Sequence, residues 1–102
     1  MSYIIKIKKS ARADLLIVLS YYEEKDKKLS ENFSNYFDYL LKQVFLTPFI
    51  YQIFYKNIRR IPLGQKFPYN IFYTIDKDII YILAVVHEKR SPAVLEKRIT
   101  KH

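Results

Sequence analysis

The sequence predicts one α+β domain: an N-terminal strand, an antiparallel helical hairpin packed on a mainly antiparallel β-sheet, and a short C-terminal helix. Two observations carry most of this. Apolar residues alternate near the N-terminus, recur at three- and four-residue spacing through residues 11–44, and return to short β-favouring runs after Pro48. A third observation is size. The 102 residues, half of them hydrophobic and 27% charged, suit a single domain spanning 1–102 with its own core, and not a disordered chain.

Each element has a local cause. Tyr3, Ile5 and Ile7 alternate with Ile4, Lys6 and Lys8, the two-residue period of a half-buried strand. Ser10 offers an N-cap hydroxyl, and Asp14 lies early in the helix that follows, where its charge suits the dipole. Ala11, Leu15, Val18, Leu19 and Tyr22 then share one helical face. The charged stretch Glu23 to Lys28 ends this helix. Ser30 caps a second, with Glu31 in its first turn. Phe33, Phe37, Leu40 and Val44 form its apolar stripe, and Pro48 closes it. Tyr51 to Tyr55 and Ile58 to Leu63 read as strands joined by a tight turn at Lys56-Asn57. After the break at Leu63-Gly64-Gln65-Lys66, Pro68 to Ile75 places Tyr69, Ile71, Tyr73 and Ile75 on one face and Asn70, Phe72 and Thr74 on the other. Asp76-Lys77-Asp78 turns the chain. Ile79 to Val86 is apolar on both faces and reads as a central strand. Ser91-Pro92 starts a helix over Ala93 to Ile99, with proline at a tolerated first-turn position, and Thr100-Lys101-His102 forms the tail.

Composition excludes several classes of function. The chain has one glycine and no cysteine, so it has no disulfide framework, no cysteine metal site and no thiol chemistry. No apolar run approaches the ~18 residues of a membrane span, and the N-terminus lacks the pattern of a signal peptide. The expected location is the cytoplasm, with no membrane partner. Eighteen Lys and Arg oppose ten Asp and Glu, a net charge of +8. A small domain that basic suits an acidic partner: nucleic acid, an anionic surface or an acidic protein. From Tyr39 to Ile75 there is no acidic residue, while Lys42, Lys56, Arg59, Arg60 and Lys66 all lie there. A solvated surface that only aids solubility is the plainer alternative. The ten Tyr and seven Phe are expected mostly in packing, since no RNA-recognition consensus surrounds them.

With these elements, several segments resemble the RelE/ParE superfamily, the toxic halves of bacterial type II toxin–antitoxin pairs. They are Ala13-Asp14-Leu15, Tyr21-Tyr22, Pro48 before Tyr51, Ile58-Arg59-Arg60-Ile61, Phe67-Pro68-Tyr69-Asn70-Ile71-Phe72-Tyr73, and Ala84-Val85-Val86-His87 followed by Arg90-Ser91-Pro92. The likeness covers almost the whole chain. Phe67-Pro68-Tyr69 and His87…Arg90-Ser91-Pro92 look closer to the ParE side. The resemblance implies the RelE/ParE-like toxin fold, growth inhibition, a role in plasmid stabilisation, and neutralisation by a cognate antitoxin protein. It implies no cofactor, no metal and no small-molecule substrate. The target is DNA gyrase for a ParE-like poison, or ribosome-bound mRNA for a RelE-like endoribonuclease.

Metal-free RNA cleavage needs groups that move protons and neutralise a pentavalent phosphate. If the chain is a nuclease, the candidates are Arg60, His87 and Arg90. Candidates for holding a target or the antitoxin are Lys56, Arg59, Arg60, Lys89 and Arg90. His87, whose side chain ordinarily titrates near neutrality, shares a face with Tyr81, Leu83 and Val85 by periodicity. It could also simply cap the end of its strand by hydrogen bonding. Arg90 could instead tie the terminal segment to the body. The nuclease relatives often carry an arginine near Asn70 and a tyrosine near Leu95; leucine neither donates nor accepts a proton. The expectation is therefore a toxin that does not depend on acid–base chemistry, with RNA cleavage as the alternative. A basic binding domain with no toxic role is a third possibility.

Overall fold

A computed structural model describes residues 2–99. The expected tail, Thr100-Lys101-His102, lies outside the described residues. The elements run β1 (Ile4–Ile7), α1 (Lys9–Lys25), α2 (Lys27–Leu46), β2 (Ile53–Tyr55), β3 (Ile58–Pro62), β4 (Tyr69–Asp76), β5 (Ile79–His87) and α3 (Pro92–Ile99). The five strands form one sheet in the order β1-β5-β4-β3-β2. β1 runs parallel to β5, and the other neighbours are antiparallel. The expected order of elements and the α+β class are both observed. Among the described residues no helix is long and apolar enough to cross a membrane.

Two apolar layers sandwich the sheet. On one face, Ala11, Val18 and Tyr22 of α1 and Phe33, Phe37, Leu40 and Val44 of α2 pack against Ile61, Ile71, Tyr73, Ile80, Ile82 and Val85. Both helical stripes thus point inward, as their spacing requires. On the other face, Leu95 and Ile99 of α3 cover Ile58, Phe72, Leu83, Ala84 and Val86. β5 is the hub, flanked by β1 and β4 and covered on both sides, which explains its unbroken apolar run.

Three local expectations need correction. Ser10 does not cap α1: Lys8 occupies the cap position, and the Ser10 hydroxyl donates to the Leu83 carbonyl at 3.3 Å. Ser30 does not cap α2 either, and Glu31 lies beyond its first turn. A single extended residue, Asp26, ends α1 and starts α2; its carboxylate accepts from the Lys28 N–H at 3.1 Å. The Ser30 hydroxyl instead donates to the Leu19 carbonyl at 3.3 Å, pinning the two helices together.

The third correction concerns His87. Ile71 faces Val85 and Phe72 faces Ala84, but Tyr73 faces Ile82, so Leu83 is an extra residue in β5. This β-bulge inverts the alternation. His87 therefore shares its face with Val85 and the hairpin layer, while Tyr81 and Leu83 belong to the α3 layer.

Candidate functional site

The end of the sheet where β3 finishes, β4 begins and β5 finishes gathers most of the chemistry. Pro62 pairs with Asn70, and Tyr69 pairs with His87, so these strand ends lie side by side. Arg60 projects from β3 onto the α3 face, opposite to Arg59. A cleft of about 120 Å³ opens there, and Arg60, Asn70, His87, Glu88 and Arg90 all line it, with Leu95 beneath. The Arg60 guanidinium lies 5.6 Å from the centre of the Phe54 ring, on the wall of the same cleft. A second cleft of about 240 Å³ lies beside α1, and Asp14, Tyr21, Tyr69, His87 and Arg90 border it. His87 and Arg90 therefore stand on the rim between the two.

His87 is exposed, but its ring is held. Nδ1 accepts a hydrogen bond from the Lys89 backbone N–H at 3.1 Å, and the ring meets Tyr69 edge-on at 5.3 Å. The Arg90 N–H donates to the His87 carbonyl at 3.0 Å, closing the turn. In this geometry the imidazole hydrogen belongs on Nε2. The strand-cap expectation for His87 matches this arrangement. Burial pushes the Tyr69 phenol above its ordinary value, with Tyr21 adding to the effect.

The remaining candidates are elsewhere. Lys56 sits in the β2–β3 turn at the opposite end of the sheet, with Nζ 5.3 Å from the Tyr55 ring centre and a left-handed φ of 51°. Arg59 faces the hairpin layer. Its Nη1 donates to the carbonyls of Tyr51 at 2.6 Å and Phe49 at 3.1 Å, so it holds the α2–β2 connection. Lys89 contributes its backbone N–H rather than its side chain. Arg90 does not tie the terminal helix to the body; Arg98 does. Its guanidinium reaches Asp14 at 2.5 Å and the Ser10 carbonyl at 3.3 Å. No helical periodicity pointed to Arg98, because its partners are 84 and 88 residues away. Glu88 also went unremarked in the sequence, since its position on the rim follows from the β4–β5 register. No group of His, Cys, Asp and Glu able to hold a metal occurs among the described residues.

A family model described as the ParE toxin of type II toxin–antitoxin systems, parDE, matches residues 5–92. The chain belongs to the ParE toxin family. Solved structures agree in fold. The chain is similar to one from a chromosomal ParDE toxin–antitoxin system of P. aeruginosa, with a TM-score of 0.73 and 14% identity over 84% of this chain and 96% of that one. It is also similar to a free-state mutant of the E. coli toxin RelE, with a TM-score of 0.61 and 16% identity over 99% of this chain and 97% of that one. No curated protein matches the sequence. The recognition drawn from the sequence segments, on the ParE side of the superfamily, is thus the family found. The cleft lies on the α3 face of this ParE-family fold, with Phe67-Pro68-Tyr69 leading into β4 behind it.

Proposed function

We propose that this ParE-family toxin arrests growth in the cytoplasm by holding a macromolecular target, DNA gyrase, without catalysing a reaction, and that an acidic antitoxin neutralises it. The observation that carries this reading is the make-up of the cleft. Two arginines, Arg60 and Arg90, face a site floored by Leu95, whose side chain is 6% exposed and belongs to the second core. Such a site can grip carboxylates or phosphates through charge-assisted hydrogen bonds. No tyrosine or lysine among the described residues lines it with His87: Glu88 is the other acid–base group in its lining, and the phenol that meets the His87 ring, Tyr69, borders the neighbouring cleft.

One observation favours the second reading, RNA cleavage: the three nuclease candidates Arg60, His87 and Arg90 do line one cleft. Induced expression with mRNA integrity and DNA-break response followed together separates the two. On the poison reading, His87→Gln stays toxic, DNA breaks accumulate, and Arg60→Ala with Arg90→Ala lowers toxicity. On the nuclease reading, His87→Gln abolishes growth arrest, because losing a general acid or base typically removes ~10²–10⁴-fold of rate. Purified protein that cuts mRNA on translating ribosomes only while His87 is present would overturn the proposal.

A further inference from the structure

On the hairpin face, the connection from β3 to β4 packs beside α2, with the Phe67 ring against Phe33 and Tyr36. Gly64, at a left-handed φ of 95°, turns the chain, and the Leu63 N–H donates to the Tyr69 carbonyl at 2.9 Å to close the loop. Leu63 and Phe67 are drawn into the core, while Gln65 and Lys66 stay outside. Between loop and helix lies a cleft of about 390 Å³, larger than either cleft at the candidate site and within the ~300–1,000 Å³ of small-ligand sites. Leu63 and Phe67 floor it, and Asn32, Tyr36, Gln65 and Lys66 form its walls. It shares no lining residue with the other two.

The lining selects the ligand. Phe67, Tyr36 and Tyr39 make a ladder of nearly parallel rings: Tyr36 lies 6.4 Å from Phe67, tilted by 30°, and 6.2 Å from Tyr39, tilted by 11°. A flat ring laid over Leu63 and against Tyr36 extends that ladder. Stacking on an aromatic side chain accepts any base, so the polar groups must discriminate. The Asn32 and Gln65 carboxamides make no hydrogen bond with the described residues. Each offers a donor and an acceptor in one plane, the pattern that pairs with the N6 and N7 edge of adenine. Lys66 adds a cation, its Nζ 5.6 Å from the Phe67 ring centre, and Lys28 stands one helical turn before Asn32. No acidic residue lines the cleft among the described residues. An aromatic side chain of a protein would stack equally well but leave the carboxamides and the cations unanswered. We propose that this cleft binds an adenine nucleotide. The base lies against Tyr36, its N6 and N7 edge meets Asn32 or Gln65, and the phosphate reaches Lys66 and Lys28. A free nucleotide and an adenine splayed from a nucleic-acid strand present the same chemistry. The proposal does not depend on the gyrase reading.

The test titrates the purified full chain with AMP, UMP, adenosine and inorganic tripolyphosphate, and with short oligo(dA) and oligo(dT) strands, following affinity and backbone amide chemical shifts. AMP should bind at least ~10-fold more tightly than UMP, with the shifts centred on Asn32, Tyr36, Gln65 and Lys66. Asn32→Ala with Gln65→Ala erases that preference, and Lys66→Gln weakens AMP more than adenosine. Asn32 is half-buried and Gln65 and Lys66 are exposed, so thermal melts should stay near wild type; if the paired variant fails to fold, the base preference and the shift map of the wild-type chain decide. Preferential binding of AMP supports the free nucleotide as the source. Oligo(dA) preferred over oligo(dT) at the same residues, without binding of AMP, supports the strand. AMP, UMP and tripolyphosphate bound alike would show a cluster of cations and overturn the proposal. So would an adenine preference whose shifts fall on Arg60 and Arg90, or the absence of any adenine preference in either form.

Discussion

Asp14 shows how one side chain can replace a strand. β1 stops at Ile7, paired with Ile82, and the edge of β5 continues past it. There the Asp14 carboxylate accepts the Val85 N–H at 2.9 Å and also receives Arg98. Val85 is 3% exposed, so this N–H has no easy recourse to water. Asp14→Ala should destabilise by about 1–3 kcal/mol, and Asp14→Asn, which keeps an acceptor, by less; chemical denaturation checks both. Tyr73 is a second such residue. Its hydroxyl donates to the Pro48 carbonyl at 2.6 Å, and burial pushes its pKa up to about 12, against the opposing pull of Arg59. A group whose folded pKa exceeds its unfolded value contributes stability fully below pH 10, and that contribution fades as pH rises toward 12. Tyr73→Phe should therefore cost about 0.5–1.5 kcal/mol at neutral pH and flatten the alkaline limb of the stability curve. Neither role was legible in the sequence. Asp14 showed only as an early-helix acid and Tyr73 only as a strand aromatic, because their partners are fixed by chain crossings 71 and 25 residues apart.

At the level of elements, periodicity was a sound guide where one face alone is buried. The stripe Phe33, Phe37, Leu40 and Val44 is wholly inside. Phe37 is 3% exposed and stacks beside Phe33 with ring centres 6.4 Å apart. Phe37→Ala should cost about 3–5 kcal/mol, read as a fall in melting temperature; unchanged stability would mean the stripe faces a partner. Periodicity failed where the backbone breaks its own rhythm. The bulge at Leu83 turned His87 to the hairpin face, and no residue type in Leu83-Ala84-Val85 announces a bulge. Capping was misread for a related reason. Ser10 and Ser30 have the right side chains for caps, but each finds a more distant carbonyl, at Leu83 and Leu19. The site was legible in part. Arg60, His87 and Arg90 do converge, whereas Arg59, its immediate neighbour in sequence, is turned to the opposite face by strand alternation and serves the α2–β2 connection.

For the molecule as a whole, the +8 charge governs encounter more than fold. Association with an acidic antitoxin should slow by about tenfold or more between ~0.05 and ~0.5 M salt, while dissociation changes by roughly twofold or less; stopped-flow binding across that range checks it. A dissociation rate that carries most of the salt effect would place charged pairs at the buried centre of the interface instead. The parallel pairing of β1 with β5 has another consequence, for the newborn chain. Ile4 waits for Ile79, Asp14 for Val85 and Arg98. At roughly 5–20 residues per second, synthesis leaves β1 without its neighbour for several seconds. The helical hairpin forms from local contacts, but the central strand that both layers share is among the last segments to emerge. A polypeptide halted before Ile79 would lack the hub of both cores, so translation stalled part-way should yield no toxic fragment, only a hairpin with its apolar stripe uncovered and open to degradation.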